Sequence, residues 1–158
     1  MSFQWTNASL RIDIQIVISE SPGRLVVDTG PVIGAMHQAD EHHEVAARGI
    51  QELVDGGTQI LIPVPIVFEV YKRLAYDVSP AIARRGLTYM RQSMTLVYFD
   101  AEDLQALNDM MELRPWWGAS LEDAAVAMVA LTRKAPAWTF NHRDFVGFPD
   151  LQFWTPSY

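Results

Sequence analysis

Apolar and polar positions alternate along this chain in a pattern that separates short strands from longer helices. The strict alternation in Leu10–Ile18 predicts a half-buried strand, which the break at Ser21-Pro22-Gly23 ends. The β-branched run in Arg24–Asp28 predicts a buried strand that finishes on an acid. Further short strands are predicted at residues 59–62, 96–99, 137–140 and 151–154.

Helical spacing fills the stretches between these runs. The apolar positions of Asp40–Val54 predict a helix that Gly56-Gly57 closes. Predicted helices also begin at the prolines near residue 63, at Ser79-Pro80, at Asp100 and at Ser120, and run to about residues 77, 90, 113 and 134. Short buried strands that alternate with helices predict an α/β layer sandwich on a mainly parallel sheet. We expect one domain over residues 24–158, with residues 1–23 as an extension or edge strand.

Composition and charge narrow the chemistry. The chain has 158 residues and no cysteine, which excludes a disulfide scaffold, a thiol nucleophile and a cysteine-ligated metal site. The net charge of −7 excludes a wholly basic nucleic-acid-binding surface but not a local basic patch. The longest uncharged apolar stretch, Ile60–Phe68, is too short for a membrane span and contains two prolines. We therefore expect a cytoplasmic protein with no membrane segment.

Acidic and amide side chains follow the predicted strands. Asp28 ends the first buried strand, Glu69 lies early in the helix after the second, and Asp123 lies in the first turn of the helix that begins at Leu121. Asn141 and Asp144 follow the strand at 137–140. Ligands of parallel sheets bind outside the carboxyl ends of the strands, and oxygen ligands without histidine or cysteine suit Mg²⁺ or Mn²⁺. This arrangement indicates metal-assisted hydrolysis of a phosphodiester.

Each acid also has a purely structural interpretation. Asp28 lies in an Asp-Thr-Gly turn that it could cap, and Asp123 completes a capping box with Ser120. Glu69 precedes Lys72 and could simply face solvent. Their joint placement after successive strands is what favours a site.

Four segments in order carry a further signal: they are Leu25–Ile33 (LVVDTGPVI), Pro63–Val70 (PVPIVFEV), Ser120–Ala127 (SLEDAAVA) and Trp138–Phe145 (WTFNHRDF). Together they resemble the motifs of PIN-domain proteins, most closely those of VapC-type toxins of toxin–antitoxin pairs. The resemblance covers the chain from about Leu25 to its C-terminus.

The resemblance implies a three-layer α/β/α fold with a parallel sheet and an Mg²⁺- or Mn²⁺-dependent ribonuclease. By position, Asp28, Glu69 and Asp123 would be the metal-binding carboxylates, with Thr29 supporting the first of them. Asn141 matches a position that is often aspartate in the family, and an amide brings no charge. That departure puts a second metal in doubt. Asp144 would either compensate in part or only cap the turn before Phe145.

Basic residues concentrate in one segment. Residues 72–91 contain a single acid and five basic residues, namely Lys72, Arg73, Arg84, Arg85 and Arg91. Three of them, Arg73, Arg84 and Arg85, are candidates for contacts to substrate phosphates, because arginine binds phosphate through two donors at once. A solvated helix surface or a dimer face explains the cluster equally well.

Two adjacent aromatic residues and a group of histidines complete the candidates. The Trp116-Trp117 pair lies in a Pro–Gly loop, where it would either stack on bases or plug the loop onto the core. His37, His42 and His43 lack the spacing of a zinc site on one helix face, so we assign them to the surface.

Three functions are compatible with these observations. The first is an endoribonuclease toxin that cuts tRNA or rRNA, binds a cognate antitoxin and forms a homodimer; both partners follow from the resemblance alone. The second is a catalytically silent PIN-like module that binds RNA or protein, which the neutral Asn141 motivates. The third is an aspartic peptidase, suggested by Asp28-Thr29-Gly30, but that chemistry needs two facing aspartates and an all-β fold.

Overall fold

A computed structural model describes residues 15–157, which form one parallel six-stranded sheet with helices on both faces. The strands are β1 (Val17–Ile18), β2 (Arg24–Val27), β3 (Gln59–Pro63), β4 (Thr95–Val97), β5 (Ala137–Trp138) and β6 (Phe153–Trp154). The helices are α1 (Thr29–Met36), α2 (His43–Asp55), α3 (Val64–Asp77), α4 (Pro80–Ser93), α5 (Ala101–Glu112) and α6 (Leu121–Arg133), with a 3₁₀ turn at His142–Phe145.

The order of the strands places a switch point at the centre of the sheet. The order is β1-β6-β5-β2-β3-β4, so the chain moves outward from β2 to β4 and then returns to pair β5 with the other side of β2. Right-handed crossovers in opposite directions put helices on opposite faces of the sheet. The expected α/β/α architecture with a parallel sheet is therefore confirmed, and the crevice for a ligand lies between the ends of β2 and β5.

Several strands are shorter than the sequence predicts, because each ends where its neighbour ends. Pro63 is the last residue of β3 and pairs with Val97, so β4 stops there and not at Phe99. Asp28 leaves the sheet to cap α1, so β5 ends at Trp138, the partner of Val27, and not at Phe140. The predicted helix at Pro80 continues three residues beyond Met90, to Ser93.

The expected N-terminal edge strand is present but small. Val17 and Ile18 pair in parallel with Phe153 and Trp154 at the edge of the sheet. Residues 10–14 of the predicted strand lie outside the described residues.

Helix ends follow the capping residues that the sequence supplies. Ser79 accepts a hydrogen bond from the backbone of Ile82, and Pro80 is the first residue of α4. Asp100 and Ser120 both form complete capping boxes, at the starts of α5 and α6. These caps fix where α6 begins and therefore where the side chain of Asp123 stands.

Two buried tryptophans from neighbouring strands, β5 and β6, form an aromatic part of the core. Trp138 and Trp154 are buried and meet edge to face, with ring centroids 4.9 Å apart. The helix α2 approaches them at Gly49, where a Cβ atom would lie 2.6 Å from Cζ2 of Trp138 and 2.8 Å from Pro156. Only a residue without a side chain fits at this crossing.

We expect Gly49→Ala to destabilise the protein by about 2 kcal/mol. The clash with the indole and the proline ring costs up to about 3 kcal/mol, and the better helix propensity of alanine returns roughly 1 kcal/mol. Gly23→Ala is the matched control, since nothing lies within 4 Å of the position that its Cβ would take. Urea unfolding of both variants checks this; equal stabilities would contradict the close approach of α2 to Trp138.

Candidate functional site at the carboxyl edge of the sheet

An open cavity of about 300 Å³ lies at the switch point and collects most of the predicted site residues. Its lining comprises Asp28, Thr29, Gly30, Glu69, Arg73, Ser120, Asp123, Thr139, Phe140, Asn141 and Asp144. The sequence named Asp28, Thr29, Glu69, Arg73, Asp123, Asn141 and Asp144 among these, and the structure brings all seven together. Four of the lining side chains are acids and one is a cation, so the cavity concentrates negative charge.

Asp28 is the buried centre of this arrangement. It caps α1 directly after β2, and its Oδ1 accepts a hydrogen bond of 2.7 Å from the backbone N–H of Thr29. Its Oδ2 accepts a hydrogen bond of 2.8 Å from the hydroxyl of Thr139. Burial, with a smaller contribution from the negative charges of Asp123 and Glu69, raises the pKa of Asp28 to about 6 against the lowering effect of these two hydrogen bonds.

Thr29 links two of the carboxylates. Its hydroxyl donates a hydrogen bond of 2.7 Å to Oε2 of Glu69, which reaches the cavity from the second turn of α3. One residue therefore orients Asp28 through its backbone and Glu69 through its side chain.

Asp123 occupies both of the positions that the sequence left open, at the cap of α6 and in the lining of the cavity. Its Oδ2 accepts hydrogen bonds of 2.8 Å from the backbone N–H and from the hydroxyl of Ser120, which completes the capping box of α6. The same side chain lines the cavity. Partial burial raises the pKa of Asp123, and the nearby charges of Asp144 and Glu122 raise it further.

Asn141 and Asp144 meet on the 3₁₀ turn after β5. The amide nitrogen of Asn141 donates to Oδ2 of Asp144, and its backbone N–H donates to the hydroxyl of Thr139 at 2.9 Å. The neutral amide thus partners an acid where a second carboxylate would repel it.

The set of donors fits a hydrated divalent cation. Within residues 15–157, no three His, Cys, Asp or Glu side chains converge closely enough to enclose a metal ion by themselves. Mg²⁺ is usually bound through one or two carboxylates while it keeps several waters, so a complete protein cage is not required. Such an ion would bind the carboxylate oxygens of Asp28, Glu69 and Asp123 and neutralise the repulsion between their charges. The raised pKa values of Asp28 and Asp123 show that, without a cation, their charged forms are disfavoured.

The remaining cationic candidates lie elsewhere. Arg84 and Arg85 line a groove along α4 together with Thr88, Tyr89 and Gln92, outside the cavity. Arg73 lies on a different helix, α3, and lines the cavity instead. Their predicted contact with substrate phosphates gains no support from this geometry.

Sequence reasoning did not identify two residues that shape the cavity. Thr139 holds Asp28 and receives Asn141, and its signal in the sequence is only that it follows a buried strand. Phe140 forms one wall of the cavity, and the ring of His42 packs on it with centroids 4.5 Å apart.

Comparisons with known proteins agree with this architecture. The model of the PIN domain family matches residues 25–150. No curated protein sequence is significantly similar to the chain. No helix among residues 15–157 has the length and apolar character needed to cross a membrane.

Solved structures of VapC and VapBC proteins share the fold at low sequence identity. VapC20 of Mycobacterium tuberculosis, a toxin described as cleaving the sarcin-ricin loop, superposes with a TM-score of 0.69 and 13% identity, covering 78% of this chain and 95% of its own. VapBC2 of Rickettsia felis, bound to a promoter DNA fragment, superposes with a TM-score of 0.64 and 14% identity, covering 82% of this chain and 96% of its own. VapBC-1 of nontypeable Haemophilus influenzae superposes with a TM-score of 0.62 and 17% identity, covering 84% of this chain and 97% of its own.

Proposed function

This chain belongs to the PIN domain family, and from that premise we propose that it is a metal-dependent endoribonuclease, the toxin of a toxin–antitoxin pair. The observation that carries the proposal is the cavity itself. Acids from three separate elements, Asp28 after β2, Glu69 on α3 and Asp123 on α6, line one opening at the switch point of the sheet.

In this proposal the residues of the cavity have three roles in phosphodiester hydrolysis: they bind the metal, orient its ligands and bind the phosphate. Asp28, Glu69 and Asp123 would hold Mg²⁺ or Mn²⁺, and such an ion supplies a water of lowered pKa and neutralises charge on the phosphate oxygens. Thr29 and Thr139 fix the orientation of Asp28 by hydrogen bonds to both of its oxygens. Arg73, at the rim, is the cation that can bind the phosphate of the substrate.

Asn141 and Asp144 take a supporting part in this proposal. The amide holds one oxygen of Asp144, so the pair presents a single negative charge to the cavity. We infer one tightly held metal rather than two.

The partners follow from the same family. Two of the structural neighbours are described as VapBC assemblies, which supports a protein antitoxin as the partner of this chain. A tRNA or rRNA substrate and a homodimer remain predictions from the resemblance, and so does a cytoplasmic location.

Cleavage of RNA by the isolated protein tests the proposal. We expect a mixed pool of tRNA and rRNA to be cut with Mn²⁺ or Mg²⁺ and left intact in EDTA, with a rise in Tm on addition of Mn²⁺ because the ion binds only the folded state. Folded protein that neither cuts RNA nor gains stability from Mn²⁺ would contradict it.

That negative result would favour the second candidate, a silent binding module. The specific observation behind this candidate is Asn141, the neutral residue paired with Asp144. Asn141→Asp would then be the first substitution to make, with Mn²⁺ binding as the measurement.

A further inference from the structure

The two adjacent tryptophans between α5 and α6 have opposite environments. Trp117 is 7% exposed, and its indole N–H donates a hydrogen bond of 2.6 Å to the backbone carbonyl of Asp144. Its ring meets Phe148 edge to face, with centroids 4.8 Å apart. Trp116 is 67% exposed. Trp117 therefore plugs the loop onto the core, and Trp116 is left on the surface.

Arg114 fastens the same loop to the turn that carries Asp144. Its guanidinium lies 4.3 Å above the ring of Phe148, and its Nε donates to the carbonyl of Gly147 at 3.3 Å. Together with the bond from Trp117, this contact ties residues 114–117 to residues 144–148 at two points. The loop is thus fixed to the turn whose Asp144 lines the cavity.

The ring of Trp116 rests against Gly147. A Cβ atom at Gly147 would stand 3.2 Å from Cη2 of Trp116, which is tighter than ordinary packing. The glycine therefore lets the indole lie close to the backbone, with the rest of the ring facing solvent. Gly147 is three residues from Asp144, and the loop runs on to Ser120; both of these residues line the cavity.

We propose that Trp116 is a stacking platform for an unpaired base of the RNA next to the cleaved phosphate. This inference rests on the proposed function and adds to it a side chain that binds an unpaired base beside the site. An indole held by one edge offers its face to a base without regard to sequence. The side chain of Arg114 lies beside the same glycine, with its Cδ 3.6 Å from the position of a Gly147 Cβ, and supplies positive charge near the indole, as the backbone of a nucleic acid requires in a protein of net charge −7.

Binding of a short fluorescein-labelled RNA in EDTA tests the platform. Removing one stacked base contact corresponds to about a 5- to 100-fold loss of affinity. We expect Trp116→Ala to show this loss for single-stranded RNA of mixed sequence and little loss for the same sequence as a duplex. Trp116→Phe keeps an aromatic face and should recover most of the affinity.

Two further variants separate stacking from a general effect. Gly147→Ala retains Trp116 but displaces its ring, so it should weaken single-stranded binding as well. Tyr76→Ala removes an aromatic side chain that is 91% exposed near the end of α3 and should bind like the wild type.

The outcomes distinguish this inference from the proposed function. If the wild type cuts RNA and Trp116→Ala binds single strands equally well, the platform is overturned and the nuclease stands. Equal losses for single and double strands would also overturn it. If the wild type neither binds nor cuts RNA, both proposals fail. If light scattering shows a wild-type dimer that Trp116→Ala dissociates, a second copy of the chain covers the ring, and the platform is again overturned.

Discussion

Asp28→Asn is expected to lower RNA cleavage by roughly 1,000-fold while making the metal-free protein more stable at neutral pH. Loss of the central carboxylate removes about 4 kcal/mol of metal-borne charge stabilisation in the transition state. The amide is nearly the same size and keeps one of the two acceptor oxygens that the threonines hold, so the site should stay folded. Single-turnover cleavage with Mn²⁺ measures the first effect.

The gain in stability follows from the pKa of Asp28. Its folded pKa of about 6 exceeds the ordinary aspartate pKa of 3.8, so the folded state binds the proton more tightly than the unfolded state does. The stabilisation from that proton is complete below about pH 4 and is lost as the pH rises through about 6. The charged carboxylate then costs the wild type about 3 kcal/mol, since each pKa unit is worth 1.36 kcal/mol.

An amide avoids this cost but gives up one hydrogen bond. Asp28 accepts from both Thr29 and Thr139, whereas asparagine has a single acceptor oxygen, and the lost bond costs about 1–2 kcal/mol. The net gain is about 1–2 kcal/mol, or roughly 3–6 °C in Tm, for a protein of this size.

Thermal melts in EDTA from about pH 4.5 to about pH 7.5 check this pH dependence. The advantage of Asp28→Asn should grow as the pH rises, and Mn²⁺ should stabilise the wild type alone. Parallel pH profiles for the two proteins would show that Asp28 carries no buried charge.

The sequence was sufficient to predict the position of Asp28 because an acid that directly follows a buried parallel strand lies at the carboxyl edge of the sheet. The parallel sheet and its order of elements bring Glu69 and Asp123 to the same edge, as their placement after successive elements predicted. Asp123 was ambiguous between cap and site because the choice depends on which neighbour α6 faces, and that is a property of the sheet and not of the local sequence.

The features that the sequence could not supply depend on contacts between distant segments. Thr139 reaches Asp28 across more than a hundred residues, and nothing in its local pattern distinguishes it from other strand threonines. Arg84 and Arg85 are close to Arg73 in sequence, but α3 and α4 carry them to different surfaces. The opposite environments of Trp116 and Trp117 follow from the single hydrogen bond to the carbonyl of Asp144.

A comparison of Asp123→Asn with Asp103→Asn separates the structural role of Asp123 from its role in the site. Each aspartate is the third residue of a helix, and each closes a capping box, at Ser120 for α6 and at Asp100 for α5. Only Asp123 lines the cavity. Asparagine keeps one acceptor oxygen for the backbone N–H of the cap, so each substitution should change stability by less than about 1 kcal/mol.

The two variants should differ strongly in activity. We expect Asp123→Asn to lower cleavage with Mn²⁺ by roughly 100-fold or more, because a carboxylate contact to the metal is worth several kcal/mol. Asp103→Asn should cleave within about twofold of the wild type, since surface substitutions of this kind change little. Urea unfolding confirms that both proteins fold, and cleavage rates over a range of Mn²⁺ concentrations show whether excess metal restores Asp123→Asn in part. Equal activity of the two variants would assign Asp123 to the cap alone and leave Asp28, Glu69 and Asp144 as the acids of the cavity that are available to hold the ion.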